Sequence, residues 1–161
     1  MRLFDLPPFL NTVVTREAYV RWLQRKAVAH IKRDRKRGNT SASVSEYKRA
    51  IHQAVCRSGG KDVYTGEHLA WNLISTYDNN ESKLGRRSYK AAFALLPTVD
   101  HIGDGTGPAD FRICGWRTND AKGDLSFEEF IALCTRVVTA NNRNDESTRV
   151  LNGTETDLSV G

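Results

Sequence analysis

Apolar residues recur at three- and four-residue spacing early in the chain. Tyr19, Trp22, Leu23, Ala27, His30 and Ile31 share one face, with arginines and lysines around it. Thr15 can cap this segment and Gly38-Asn39 can end it, which predicts a helix to about Arg37. After the polar linker Asn39-Thr40-Ser41-Ala42, Ser43 and Glu46 have capping-box spacing and open a second helix to about Arg57. Ser58-Gly59-Gly60-Lys61-Asp62 breaks it, and Tyr64-Thr65-Gly66-Glu67 is a second turn. A short helix is expected around Leu69–Ser75. Tyr77–Gly85 reads as irregular, and Arg87–Leu95 as a helix ended by Pro97.

The pattern then changes period. Thr98-Val99-Asp100-His101-Ile102 is short and β-prone, and it enters Gly103-Asp104-Gly105-Thr106-Gly107-Pro108, a loop of glycines and polar residues. Phe111-Arg112-Ile113-Cys114 alternates with period two, as a half-buried return strand does, with Arg112 facing away from the core. A polar turn follows. Ser126 and Glu129 then form a second capping box, opening a helix whose expected core face is Phe127, Phe130, Ile131, Cys134 and Val138. The expected fold is α+β and mostly helical, with a strand–glycine loop–strand–helix unit surrounded by helices. Residues 1–40 form a basic helical segment, 41–140 a core, and 141–161 a loosely ordered acidic tail where the apolar periodicity fades.

Composition narrows the class. The 161 residues are 39% hydrophobic and 27% charged, which excludes wholesale disorder. No run approaches the roughly 18 apolar residues of a membrane span, and the N-terminus lacks the long apolar stretch of a signal peptide. Cys56, Cys114 and Cys134 are few and far apart, as reduced thiols are. These features lead us to expect a soluble, cytoplasmic protein. The net charge is +5, yet Arg16–Arg37 alone holds nine basic residues against Glu17 and Asp34, a net of +7. Such a concentrated basic element suits a polyanion, most often nucleic acid; the competing reading is a solvated helix face.

Asp100-His101 stands where a β-prone run meets a glycine loop, a place where rigid scaffolds present functional side chains. A carboxylate can hold a divalent cation while an imidazole accepts a proton at neutral pH. On an ideal strand the two point to opposite sides, so a site using both needs local distortion. Spacing excludes three alternatives. An EF-hand loop starting at Asp100 would have Ile102 and Phe111 at ligand positions. The glycine run lacks the Gly-Lys-Ser/Thr of a phosphate loop, and no Cys-x-x-Cys knuckle is present for structural zinc. Cys114 and Cys134 fall on expected apolar faces, as buried, inert thiols do.

The ordered run Val99-Asp100-His101-Ile102, the glycine loop, Phe111-Arg112-Ile113-Cys114, and Asn119-x-x-Lys122-Gly123-Asp124-x-Ser126-x-Glu128-Glu129-Phe130 resembles the HNH endonucleases, which carry a ββα-metal motif. Upstream, Cys56-Arg57-Ser58-Gly59-Gly60-Lys61-Asp62-Val63-Tyr64-Thr65-Gly66-Glu67 is similar to the segment that precedes the motif in many members. The resemblance spans about Cys56 to Thr139. It implies a DNA endonuclease in which His101 is the general base, Asp100 and Asn119 hold a divalent metal (Mg²⁺ or Mn²⁺), and cleavage leaves 5′-phosphate and 3′-hydroxyl ends.

Two positions depart from the family pattern. Asp110 stands where Asn is usual, and its implied catalytic role is to hold His101 or to approach the metal. Each zinc knuckle of the relatives retains at most one cysteine here, so structural zinc is not expected, and the Phe111–Ile113 strand and the Phe127–Val138 face are expected to replace its stabilisation. Arg25, Arg33, Arg35, Lys36 and Arg37 of the basic helix, with Arg117 and Lys122, are the candidate contacts to double-stranded DNA. Lys122 reads equally as a surface lysine, Trp116 and the helical His30 and His52 read as structural, and His68 is unassigned. One active site cuts one strand, so double-strand cutting implies a homodimer or sequential nicks. The alternative function is a catalytically inactive nucleic-acid-binding protein on the same scaffold.

Overall fold

A computed structural model of the chain describes residues 4–153. α1 (Arg16–Lys36) begins at Thr15, whose hydroxyl accepts the Ala18 N–H at 3.2 Å. α2 (Val44–Ser58) opens on the complete capping box: Ser43 Oγ accepts the Glu46 N–H at 3.3 Å, and Glu46 Oε2 accepts the Ser43 N–H at 2.9 Å. Gly59 ends α2 at φ 57°, the left-handed conformation that glycine adopts without strain. The apolar faces of both helices are buried together. Tyr19, Trp22, Leu23 and Ile31 of α1 meet Tyr47, Ile51 and Val55 of α2, with Trp71 from the 3₁₀ turn Trp71–Ser75 completing the cluster. Trp22 packs edge-on to Trp71 with ring centroids 5.4 Å apart.

β1 (Pro97–His101) and β2 (Phe111–Gly115) form an antiparallel pair in which Val99 faces Ile113 and Asp100 faces Arg112. The fold is α+β and mostly helical, with this small sheet against the helices. Phe111 and Ile113 point into the core, and Phe111 meets Tyr47 edge-on at 5.3 Å. The Val63 N–H donates to the Ile113 carbonyl at 3.1 Å, so the turn after α2 lies against β2.

α3 (Asn79–Ala92) and α4 (Trp116–Lys122) differ from expectation. α3 starts well before Arg87 because Asp78 caps it, its Oδ1 accepting the N–H groups of Asn80 and Glu81 at 2.7 and 3.0 Å. α4 stands where a polar turn was expected, and it leaves β2 directly. Its first turn is satisfied from afar. The Gly115 N–H and the Thr118 hydroxyl donate to Asp62 Oδ2 at 2.8 and 2.7 Å. The Trp116 N–H donates to the Leu96 carbonyl at 2.9 Å and the Arg117 N–H to that of Ala94 at 3.0 Å. The other oxygen of Asp62 accepts the N–H groups of Tyr64 and Thr65, at 2.8 and 3.3 Å. Asp62, only 1% exposed, therefore ties the turn after α2 to the start of α4.

The chain divides into two compact units, Met1–Gly123 and Asp124–Gly161. The second holds α5 (Phe127–Gly153), which opens on its own capping box: the Ser126 N–H donates to Glu129 Oε2 at 2.8 Å, and the Glu129 N–H to Ser126 Oγ at 3.1 Å. α5 continues to Gly153, well into the segment read as a tail; residues 154–161 of that segment lie outside the described residues. Of its expected core face, Phe127, Ile131 and Val138 are 38%, 41% and 58% exposed, Cys134 is exposed, and Phe130 is half-buried. The expectations that Cys134 is buried and that this face replaces a lost zinc are therefore corrected. Within the first unit, Asp62 stitches the hairpin to its neighbours by hydrogen bonds. No helix among the described residues is long and apolar enough to cross a membrane.

Candidate active site

Successive strand residues face opposite sides of a sheet, and β1 obeys this at its chemically active end. His101 turns toward the C-terminal part of α1. Its Nε2 lies 3.1 Å from Asp34 Oδ2, the carboxylate being 1% exposed. No aligned hydrogen bond joins the two, and both ring nitrogens are buried without a hydrogen-bond partner among the described residues. Phe111 packs edge-on against the imidazole at 5.0 Å, and His30 lies 6.0 Å away between ring centroids.

Asp34 is itself held firmly. The Tyr47 hydroxyl donates to its Oδ2 at 2.6 Å. Burial, reinforced by the Asp34 carboxylate, pushes the Tyr47 phenol above its ordinary range, so it remains a donor. A Cβ on Gly105 would collide with the Asp34 carboxylate, and Gly105 has φ +85°, so the interstrand loop approaches α1 at a glycine. Asn39 Nδ2 donates to the Gly105 carbonyl at 3.0 Å and fixes the loop there. Burial pushes His30 down to about 3, helped by the Arg33 guanidinium, whose Nη2 lies 3.1 Å from both ring nitrogens. His30 is therefore neutral at physiological pH and does not compete with His101 for the carboxylate.

Asp100 faces the other side. The Tyr64 hydroxyl donates to its Oδ2, and the Lys122 ammonium to its Oδ1 at 3.2 Å. Both members of the ion pair are buried, with side chains 9% and 8% exposed. Burial raises the Tyr64 phenol, with Asp100 adding to the shift and Arg112 opposing it. Burial also raises the Cys114 thiol, as do Asp100 and Asp62, which leaves it a protonated, unreactive group. On the same sheet, Lys26 Nζ donates to Thr98 Oγ1 at 3.0 Å, and burial, with Arg33 and Arg25 adding, pushes its ammonium down to about 8.

The remaining candidates are spread around these two centres. Asn119 lies on α4, half-buried, and its side chain makes no hydrogen bond to a described residue. Asp110 is exposed; its Oδ1 accepts the Phe111 N–H at 2.9 Å and lies 3.5 Å from Arg57 Nη2, with no bond to His101. Arg25 donates to the Ile74 carbonyl at 2.8 Å, and Arg117 to Glu67 at 2.6 Å. Arg37 makes a loose 3.8 Å ion pair with Asp34. Arg35 and Lys36 are exposed near the end of α1. Lys122, expected on the surface or on a phosphate, is instead the buried partner of Asp100.

No family model, no curated protein and no solved structure matches this chain. The site therefore stands on its own residues. Sequence reasoning missed Asp34, counting it only as a charge on a basic helix. A signal was present: Asp34 continues the stripe of Leu23, Ala27, His30 and Ile31, and a carboxylate on an apolar face requires a partner.

Among the described residues no three His, Cys, Asp or Glu side chains cluster as a metal centre. The donors beside α4 nonetheless suit a hard divalent cation in kind, since Asp100 offers carboxylate oxygens and Asn119 an amide oxygen. Asp100 already has a positively charged partner, the Lys122 ammonium.

Proposed function

We propose that the protein is a metal-dependent HNH-type endonuclease that hydrolyses DNA phosphodiester bonds. The observation that carries this reading is the order β1–glycine loop–β2–α4, with Asp100-His101 at the end of the first strand and Asn119 on the helix leaving the second. His101 takes a proton from water at a ring nitrogen. The water oxygen attacks phosphorus in line with the leaving 3′-oxygen, giving 5′-phosphate and 3′-hydroxyl ends. Asp100 and Asn119 would hold Mg²⁺ or Mn²⁺, with the cation replacing Lys122 as the partner of Asp100. When bound, such a cation neutralises charge on the phosphate and on the leaving oxygen. The exposed cations at the end of α1, Arg35 and Lys36 foremost, would grip the DNA backbone without reading sequence.

One observation favours the alternative, a nucleic-acid-binding protein that keeps the hairpin without cutting. Asp100 is already paired with Lys122 and Tyr64, and it faces away from His101. A plasmid topology assay separates the two readings. With Mg²⁺ or Mn²⁺ the supercoiled form converts to nicked and then linear DNA over time, and EDTA stops it. Binding with no change in topology across several metals would overturn the nuclease reading.

A further inference from the structure

Asp34 comes from α1, outside the segment that resembles the nucleases, and no role has been assigned to it. It is the buried carboxylate nearest the His101 ring, and its surroundings fix it in place. The Tyr47 hydroxyl donates to it at 2.6 Å, and the chain at Gly105 packs directly against it. Asn39, five residues along, clamps the same glycine through its carbonyl. The arrangement joins the C-terminal end of α1, the first turn of α2 and the interstrand loop around one carboxyl group. It is more than a structural knot, because that carboxyl group faces Nε2 of an imidazole whose other nitrogen, Nδ1, is equally buried and has no hydrogen-bond partner among the described residues.

We propose that Asp34 is a positioning residue that holds His101 as the tautomer protonated at Nε2, leaving the lone pair on Nδ1. This rests on the nuclease reading for its kinetic consequence, but not for its structural content. An imidazole N–H facing a carboxylate is favoured on that nitrogen, and the lone pair is thereby assigned to the other. The 3.1 Å separation is within hydrogen-bonding distance, and alignment of such contacts commonly improves when substrate fills a site. His30 is neutral and adds no competing cation, and Arg37 Nη1 lies 3.8 Å from the other carboxylate oxygen, Oδ1, not from the one that meets the ring.

The test uses Asp34→Asn in the full chain, with two readouts. The first is cleavage kinetics on duplex DNA with Mg²⁺: kcat falls roughly 100-fold or more, while KM stays within about twofold, since Asp34 touches no substrate. The second is the ¹⁵N spectrum of the His101 ring in DNA-free protein, assigned by comparison with His101→Gln. Wild type shows a pyrrole-type Nε2 and a pyridine-type Nδ1, and the variant loses that preference. An unchanged kcat in a protein that cuts DNA overturns the proposal, as does a His101 spectrum identical in wild type and variant. Should wild type not cut DNA at all, the nuclease reading falls, and the spectrum alone decides whether Asp34 sets the tautomer. Asn is nearly isosteric with Asp, so Tyr47 and Gly105 keep their packing; a matching melting profile confirms that the variant is folded.

Discussion

The two faces of β1 carry centres built on one plan with different nitrogen partners. On one face a buried carboxylate, Asp34, accepts a tyrosine hydroxyl and meets His101. On the other a buried carboxylate, Asp100, accepts a tyrosine hydroxyl and meets Lys122. An imidazole changes charge near neutral pH, whereas an ammonium is a standing cation there. The first face is thus suited to moving a proton and the second to holding positive charge. On the proposed reading, adjacent residues of one strand divide these tasks because strand geometry sends them to opposite sides.

The largest effect is expected on the charge-holding face. Lys122→Ala leaves Asp100 buried without its cation, and removing one partner of a buried pair typically costs about 3–5 kcal/mol. Urea denaturation in metal-free buffer measures this. Mg²⁺ should then restore part of the loss by occupying the place beside Asp100, by about 2.7 kcal/mol at a hundredfold excess over its dissociation constant. Wild type should gain less. Equal gains would show that Lys122 and the metal do not share a place, and the division between the faces would have to be redrawn.

A smaller effect is expected from pH on the proton-moving face. His30 is held at about 3 in the folded protein, below the ordinary histidine value near 6.5. Between those values the unfolded chain binds a proton that the folded one does not, so this term lowers stability as pH falls from about 6.5 toward 3. Between pH 7 and pH 4.5 it amounts to roughly 2–3 kcal/mol. Comparing wild type with His30→Leu at both values isolates the term: the leucine variant should lose less stability on acidification. Equal losses would mean that His30 does not stay neutral beside His101.

The smallest effect concerns α1 and sharpens the comparison by asking what lies beyond the two faces. Replacing Arg33, Arg35, Lys36 and Arg37 with Gln should weaken DNA binding similarly for all sequences. The slope of log K against log salt should become shallower by about 0.9 for each lost phosphate contact. Fluorescence titrations at several salt concentrations measure it. An unchanged slope would reduce these residues to a solvated helix face.

How much of this was legible in the sequence depended on where each element finds its partners. α1 and α2 start and stop on local signals, Thr15, Ser43 with Glu46, and Gly59, and were read closely from them. α4 was not, because its first N–H groups are satisfied by Asp62, Ala94 and Leu96, and no local pattern shows a helix capped by distant chain. α5 was read from its capping box, but its apolar stripe was mistaken for a core face, since periodicity shows which residues align and not what covers them. Asp100, His101 and Asn119 could be singled out by type and spacing. Their division between two faces was half visible, in the alternation of the strand. Asp34 was hidden because its role exists only once α1 is laid beside β1.

On the proposed reading His101 activates the water that breaks the phosphodiester bond. The most direct measurement is single-turnover cleavage of a labelled DNA duplex by wild type and His101→Ala in Mg²⁺, with binding read from the same samples. Cleavage is expected to fall by about 10²–10⁴-fold while the bound fraction is unchanged. Cleavage by the variant at the wild-type rate would contradict that reading.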